Sequence, residues 1–256
     1  MIHASAIVSP EAEISDDVWI GPYCRVGPRV QIGKACRFES HVVVEGPAKI
    51  GEGNRFYPFA TIGLDPQDLK FKGEETFLTI GNHNIFREYV NVHRGTSGGG
   101  GNTRIGDHNF LMAYAHVGHD SVLGNHIIMA NAATLAGHVL IEDHATIGAF
   151  SGVHQFCRIG MHGYVGGYTV VTKDVLPFSK TVGGRNTKAY GPNVIGLERK
   201  GFMPQQIKDI KKAFRLLLQS DLNTSQAVEA IKAQVNSPEV RIILDFIEKS
   251  DRGVIK

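Results

Sequence analysis

Cysteine is scarce in this chain of 256 residues. There are three, Cys24, Cys36 and Cys157, and their spacings form neither a CxxC pair nor a recurrent metal-ligand pattern, which excludes a disulfide framework and a cysteine-based zinc or redox centre. An excess of charge of one sign is also missing. The 27 basic and 25 acidic residues leave a net +2, too even for a bulk nucleic-acid binder, although it is compatible with a local basic patch. No segment approaches the roughly 18 uninterrupted apolar residues that span a bilayer, and Met1-Ile2-His3-Ala4 opens no basic stretch followed by an apolar run. The expectation is a cytoplasmic protein with no integral membrane segment and no nucleic-acid partner. Tryptophan occurs once and glycine 30 times, which speaks for many tight turns and against a plain helical bundle. With 42% hydrophobic and 20% charged residues, the chain can build one large core and an appendage.

What the sequence does have is a period of six. Steps of six from Ile2 meet Val8, Ile14, Ile20, Val26, Ile32, Phe38, Val44, Ile50, Phe56 and Ile62, and the same phase resumes at Ile80, Phe86 and Val92. Shifted by one residue, the repeat runs again from Ile105 through Leu111, Val117, Leu123, Met129, Leu135, Ile141, Ile147, Val153, Ile159 and Val165 to Val171. No helix has this period. A small or β-branched residue sits two positions earlier, as at Val18, Val42, Ala60, Ala115 and Ala145, and residues two apart in an extended strand share a side. Each hexad therefore reads as a short strand with two inward residues and an outward turn. The glycine that often follows the apolar position (Gly21, Gly33, Gly118, Gly148) reads as relief for the corner. All three cysteines take the small inward position and are expected to be buried, reduced and inert.

The hexads resemble those of the hexapeptide-repeat acyltransferases over about residues 2 to 175. That resemblance implies a left-handed parallel β-helix with three hexads to a turn, in which residues eighteen apart lie above one another at a strand spacing of roughly 4.8 Å. The expected fold class is an all-β solenoid plus α: a β-helix over 1–190 with loop excursions at 63–79 and 94–104, then a C-terminal α-helical domain over 191–256. The run Gly98-Gly99-Gly100-Gly101 lacks the Lys-Ser/Thr of a phosphate loop and is read as a flexible segment. Three short helices are expected to close the open end, starting near Pro204, after Asn223 and after Ser237-Pro238. Lys208, Lys211, Lys212 and Arg215 interleave with the apolar stripe of the first, either as a solvated face or as a docking surface for an acidic carrier protein.

Twelve histidines raise the question of a metal. His108, His126, His144 and His162 are each eighteen apart at one outward corner, where a repeat simply tolerates histidine, and no metal site is expected. The segment His116-Val117-Gly118-His119-Asp120 differs. The stacking rule puts Gly137 over His119 and His138 over Asp120, which gathers what acyl transfer from a thioester needs. That is a base for the nucleophile's proton, a carboxylate to orient the base, and a peptide N–H for the developing oxyanion. Spacing alone leaves open whether Asp120 reaches the imidazole.

At this point the match is closer than fold. His-Arg-Gly-Thr (93–96), His116-Val-Gly-His119-Asp120, Leu135-Ala-Gly-His138, Val153-His154-Gln155-Phe156 and the stretch from Asn193 to Arg199-Lys200-Gly201-Phe202 resemble the acyl-carrier-protein–UDP-N-acetylglucosamine O-acyltransferases that begin lipid A synthesis. The resemblance implies His119 as general base for the glucosamine 3-position, Asp120 as its partner and the Gly137 N–H as oxyanion donor, with direct transfer and no acyl-enzyme. It implies substrate contacts from His116, His138, His154 and Gln155, from Asp68, Leu69 and Lys70 in the first excursion, and from Asn193, Arg199 and Lys200 near the nucleotide. Gly167 and Arg185 fall at positions that set acyl length, the glycine favouring a long 3-hydroxyacyl chain, and Ile195 replaces an acid of the better-known members. Acyl-carrier protein and UDP-N-acetylglucosamine are the implied partners, a homotrimer the implied assembly, and no cofactor is expected. An acetyl-CoA-dependent sugar-nucleotide acetyltransferase, a 3-amino-sugar N-acyltransferase, a zinc hydratase and a non-catalytic scaffold are the competing readings.

Overall fold

A computed structural model describes every residue except Arg185, so the acyl-pocket role expected there lies outside the described residues. The chain winds as a left-handed parallel β-helix whose strands, mostly two residues long, fall into three sheets. Among the described residues the first face has nine strands, from Ile7–Val8 to Val170–Val171. The second has eight, from Glu13–Ile14 to Arg158–Ile159, and the third has ten, beginning at Trp19–Ile20. Successive hexads turn from first to second to third face. His116 pairs with Thr134 and Thr134 with Gly152, which is the eighteen-residue stacking rule realised.

The inward apolar residues are packed against their counterparts one coil away. Ile20, Phe38, Phe56, Phe86, Leu111, Met129 and Ile147 are wholly buried, and the rings of Phe38, Phe56 and Phe86 stack at 4.6 and 4.8 Å. Full burial of one such side chain contributes roughly 1.5–3 kcal/mol. The cysteines are buried and unbridged, and burial pushes the Cys157 thiol up to about 11, so it stays protonated.

The corner glycines have a different cause from the one the sequence suggests. The left-handed residue of each corner is a later, mostly non-glycine one, such as Tyr23, His108, Asp120 or Phe150, at φ from 54° to 65°. The glycines are demanded instead by coil-to-coil approach. A Cβ on Gly33 would lie 2.8 Å from the Gly51 carbonyl carbon, and one on Gly148 would lie 2.4 Å from that of Gly166. Stacking, not backbone freedom, selects them.

The three edges of the prism carry different chemistry. Between third and first faces runs a ladder of exposed rings, Tyr23, His41, Phe59, Tyr89 and Tyr114, stacked at 4.8–5.1 Å. Between second and third runs the histidine column, His83 to His162, with ring spacings of 4.6–5.1 Å. Both excursions leave the edge between first and second faces, one after Thr61–Leu64 and one after Asn91–His93. Each is shorter than the lapse in the repeat suggests, because strands Phe77–Ile80 and Asn102–Ile105 already pair in register. Loops and coil therefore meet at one corner, between first and second faces.

After the last coil, strand Ser179–Val182 pairs antiparallel with Lys188–Pro192, a strand that spans both sides of the 190/191 division. Four helices follow where three were expected: α1 (Val194–Arg199), α2 (Pro204–Leu218), α3 (Thr224–Gln234) and α4 (Pro238–Glu248). Helix α1 is a six-residue turn capped by Asn193, too short to show an apolar period. Leu176 and Phe178 of the last coil pack with Ile207, Ile210, Phe214 and Ile243, joining solenoid and helices through one apolar cluster.

Candidate active site

Asp120 sits at a corner with φ 59°, and that left-handed turn brings its carboxylate beside the imidazole one residue earlier. His119 Nδ1 and Asp120 Oδ2 are 2.8 Å apart, which settles the contact that spacing left open. The Asp120 side chain is wholly buried and that of His119 is 15% exposed. An ionised carboxylate only accepts, so Nδ1–H donates to it and Nε2 keeps its lone pair. The tautomer is thereby fixed for a base acting through Nε2.

Gly137 lies on the next coil against that ring. The His138 N–H donates to the His119 carbonyl at 2.9 Å, and a Cβ on Gly137 would stand 2.7 Å from His119 Nε2. Gly137 is buried, and among the described residues its own N–H donates to no backbone carbonyl. A buried, unpaired peptide N–H beside a free imidazole lone pair is a preformed donor for charge developing on a bound carbonyl oxygen.

His138 stands edge-on to His119, with ring centres 5.2 Å apart, and stacks on Phe156 at 4.4 Å. Burial pushes its titration down against the pull of Asp120. His116 projects from the first face beside His93 and hydrogen-bonds the Asn91 side chain, and burial pushes it down to about 4. It is therefore uncharged in the neutral pH range. His154 and Gln155 are exposed one coil above, next to Phe156. The first excursion folds over this corner, so that Asp68, Lys70, Phe71, Ser97, His138 and Phe156 line a cavity of about 380 Å³. Leu69 points into solvent.

Other expected residues stand elsewhere. Gly167 is exposed on the edge between third and first faces, beside Ala149. Asn193 caps α1, and Arg199 and Lys200 at its far end are exposed, with Lys200 near enough to bear on the titration of His144 and His162. One edge thus gathers His119, Asp120, Gly137 and the loop residues, while Gly167, Arg199 and Lys200 lie on the other two edges. Phe156 and Thr96 belong to the site and were not expected in it. Phe156 was available from the stacking rule, being two coils after Asp120, whereas Thr96 lies in an excursion where that rule lapses.

His119, Asp120 and His138 also form the one group of three or more histidine, cysteine or carboxylate residues, among the described residues, whose ligand atoms all lie within 4.8 Å of one another. Asp120 Oδ2 already takes the His119 Nδ1–H at 2.8 Å and the Thr96 hydroxyl at 2.6 Å, so an ion would have to displace two hydrogen bonds. The arrangement fits a proton-transfer pair better than a metal centre. In the separate histidine column the rings face one another nearly parallel, a geometry that stacks rings rather than converging nitrogens.

That column predicts a pH effect on stability. Burial first, then His144 and Lys200, push His162 down to about 4, as burial does for His116. In the unfolded chain both titrate near 6.5. Below that the unfolded state binds more protons, so stability is complete above about pH 6.5, falls toward pH 4 and levels off, both histidines contributing to the fall. Urea midpoints across that range check it. His162→Phe keeps a ring in the stack and is expected to flatten part of the fall, and an unchanged slope would contradict the assignment.

Residues 174–255 match the family model described as UDP N-acetylglucosamine O-acyltransferase, domain 2, and residues 11–46 match the bacterial transferase hexapeptide (six repeats). The chain is 47% identical over 256 residues to the acyl-[acyl-carrier-protein]–UDP-N-acetylglucosamine O-acyltransferase of Thermodesulfovibrio yellowstonii, covering 100% of this chain and 99% of that one. To the protein of the same name from Halorhodospira halophila it is 46% identical, with the same coverage. Among solved structures, LpxA from Acinetobacter baumannii superposes with a TM-score of 0.97 at 43% identity, covering 100% of this chain and 99% of that one. LpxA from Bacteroides fragilis superposes with a TM-score of 0.98 at 40% identity and full coverage of both.

Proposed function

The chain belongs to the acyl-[acyl-carrier-protein]–UDP-N-acetylglucosamine O-acyltransferases, the enzymes of the first step of lipid A synthesis, and we propose that it works by direct transfer with His119 as general base. The observation that carries this is the 2.8 Å contact from His119 to Asp120 with Gly137 packed beside the same ring. His119 Nε2 takes the proton of the sugar 3-hydroxyl as its oxygen attacks the thioester carbonyl. The oxyanion meets the Gly137 N–H, and Asp120 steadies the imidazolium. Collapse breaks the C–S bond, and the departing thiolate of the carrier's phosphopantetheine takes the proton from Nε2. Ester and thiol result, and no cofactor of the enzyme's own takes part.

Asp68 and Lys70 hold substrate over the cavity, with His116, His138, His154 and Gln155 lining its approach. Asn193, Arg199 and Lys200 meet the nucleotide, where a guanidinium suits a diphosphate. Gly167 leaves room for a long acyl chain. Because these last residues stand on other edges of the same chain, a complete site needs neighbouring copies, and a homotrimer brings one chain's outer edges to another's His119. The exposed ring ladder supports this, since a contiguous strip of exposed aromatic surface of that kind marks a covered surface. Mixing inactive His119→Ala chains with inactive Arg199→Ala chains is expected to restore activity, and no restoration after verified exchange would count against a shared site.

The acidic carrier docks on α2, where Lys208, Lys211, Lys212 and Arg215 line a groove of about 770 Å³. Reversing Lys208, Lys212 and Arg215 to glutamate should raise KM for the acyl carrier about tenfold or more at low salt. Turnover of a small thioester donor should be unmoved. Equal loss with both donors would place those residues elsewhere in the mechanism.

The function itself is tested by incubating the protein with UDP-N-acetylglucosamine, its 3-amino analogue and a ladder of 3-hydroxyacyl carriers, and weighing the product. An O-acylated sugar nucleotide from the longer donors is expected. Reaction with the amine alone or with short donors alone would each overturn part of the reading.

A further inference from the structure

Asp120 is buried by residues outside its own coil. Thr96, in the second excursion, donates its backbone N–H to Oδ1 at 2.8 Å and its hydroxyl to Oδ2 at 2.6 Å. The turn Ser97–Gly99 then seats on the carboxyl so closely that a Cβ on Gly99 would lie 2.1 Å from Asp120 Cγ. The glycine run is thus a requirement of close approach at this position rather than a flexible tether. Thr103 accepts the Asp120 N–H at 2.8 Å.

The same short segment is fastened to the loop that carries Asp68 and Lys70. His93 Nδ1 is 2.5 Å from the Asp65 carbonyl, and Arg94 donates to the Gly63 carbonyl at 2.6 Å and pairs with the Asp65 carboxylate. Ser97 donates to Glu74 at 3.0 Å. His93 to Ser97 therefore join the substrate-holding loop at three points and the dyad at one.

We propose that Thr96 is a positioning residue for the acyl transfer, fixing the plane of the Asp120 carboxylate and through it the orientation of the His119 imidazole. This rests on His119 being the base. A carboxylate held by one imidazole alone turns about its Cβ–Cγ bond, and the Nδ1–H contact turns with it. Held at both oxygens by Thr96, it presents Oδ2 to Nδ1 in one direction, so Nε2 faces the acceptor hydroxyl without reorganisation at the moment of reaction. Because Thr96 shares a segment with the clamp on Asp65, a shift of the loop that holds the substrate also moves the carboxylate.

The test compares Thr96→Val, which removes the hydroxyl and keeps shape and backbone donor, with Thr96→Ser, which restores the donor. For Thr96→Val, kcat is expected to fall roughly tenfold to a hundredfold, the range for a hydrogen bond to a charged group, with KM for the UDP-sugar within about twofold. Thr96→Ser should recover most of the rate, and the downfield His119 Nδ1–H proton resonance should weaken in the valine variant and return in the serine variant. Gly99→Ala leaves the hydroxyl in place but presses the turn off the carboxyl, and is expected to lower kcat likewise. It decides the matter should Thr96→Val not fold. His119→Ala measured alongside separates the two claims. An active His119→Ala removes the base itself, whereas an inactive His119→Ala with Thr96→Val or Gly99→Ala turning over as wild type overturns the positioning role alone.

Discussion

His119→Ala is expected to lower kcat by roughly 10²–10⁴-fold, the range for removal of a positioned general base, with folding unaffected. The side chain lies at an outward corner beside the Asp120 carboxylate, Gly137 and His138, and the core stack of Phe38, Phe56 and Phe86 runs without it. Steady-state rates with the melting temperature measured in parallel check this. Residual turnover should be far less sensitive to Asp120→Asn than the wild-type rate is, because the carboxylate then has no base to orient. A His119→Ala protein within about threefold of wild type would lie far below the range for a general base and would remove His119 from that role.

Gly137→Ala is expected to be nearly as damaging. The added methyl would stand 2.7 Å from the His119 Nε2 and 2.6 Å from its Cε1, inside van der Waals contact, so the imidazole must swing away from the position where it meets the acceptor. The same methyl stands where a thioester carbonyl must approach the peptide N–H. Loss of base alignment and of an oxyanion donor together should cost at least about a hundredfold in kcat. Binding of UDP-N-acetylglucosamine, followed by calorimetry, should weaken far less. Full turnover in this variant would mean that neither the ring nor the amide is where the reaction occurs.

The solenoid was legible because its cause is periodic. An apolar residue every sixth position recurs through the whole wall, and the stacking of Gly137 over His119 follows from counting alone. The reading of the corner glycines went astray because sequence shows that a side chain is missing without showing what occupies its place, and here that is the next coil's backbone. Helix α1 escaped for want of length. Thr96 and Gly99 escaped because both excursions break the eighteen-residue count, so no arithmetic connects them to Asp120, and the hydrogen bonds to its carboxylate appear only in three dimensions. Gly167 could be placed by the same count, five hexads after Gly137, whereas Asn193 and Arg199 lie past the last hexad, where no count reaches.

The most direct measurement is the intact mass of the protein during a single turnover with 3-hydroxyacyl carrier and UDP-N-acetylglucosamine, quenched at intervals in acid. Transfer through a base predicts that the chain keeps its unmodified mass at every time point while the acylated sugar nucleotide rises in step with free carrier thiol. A transient gain equal to one acyl chain, forming before the product and decaying with it, would show a covalent nucleophile in the site and contradict the account.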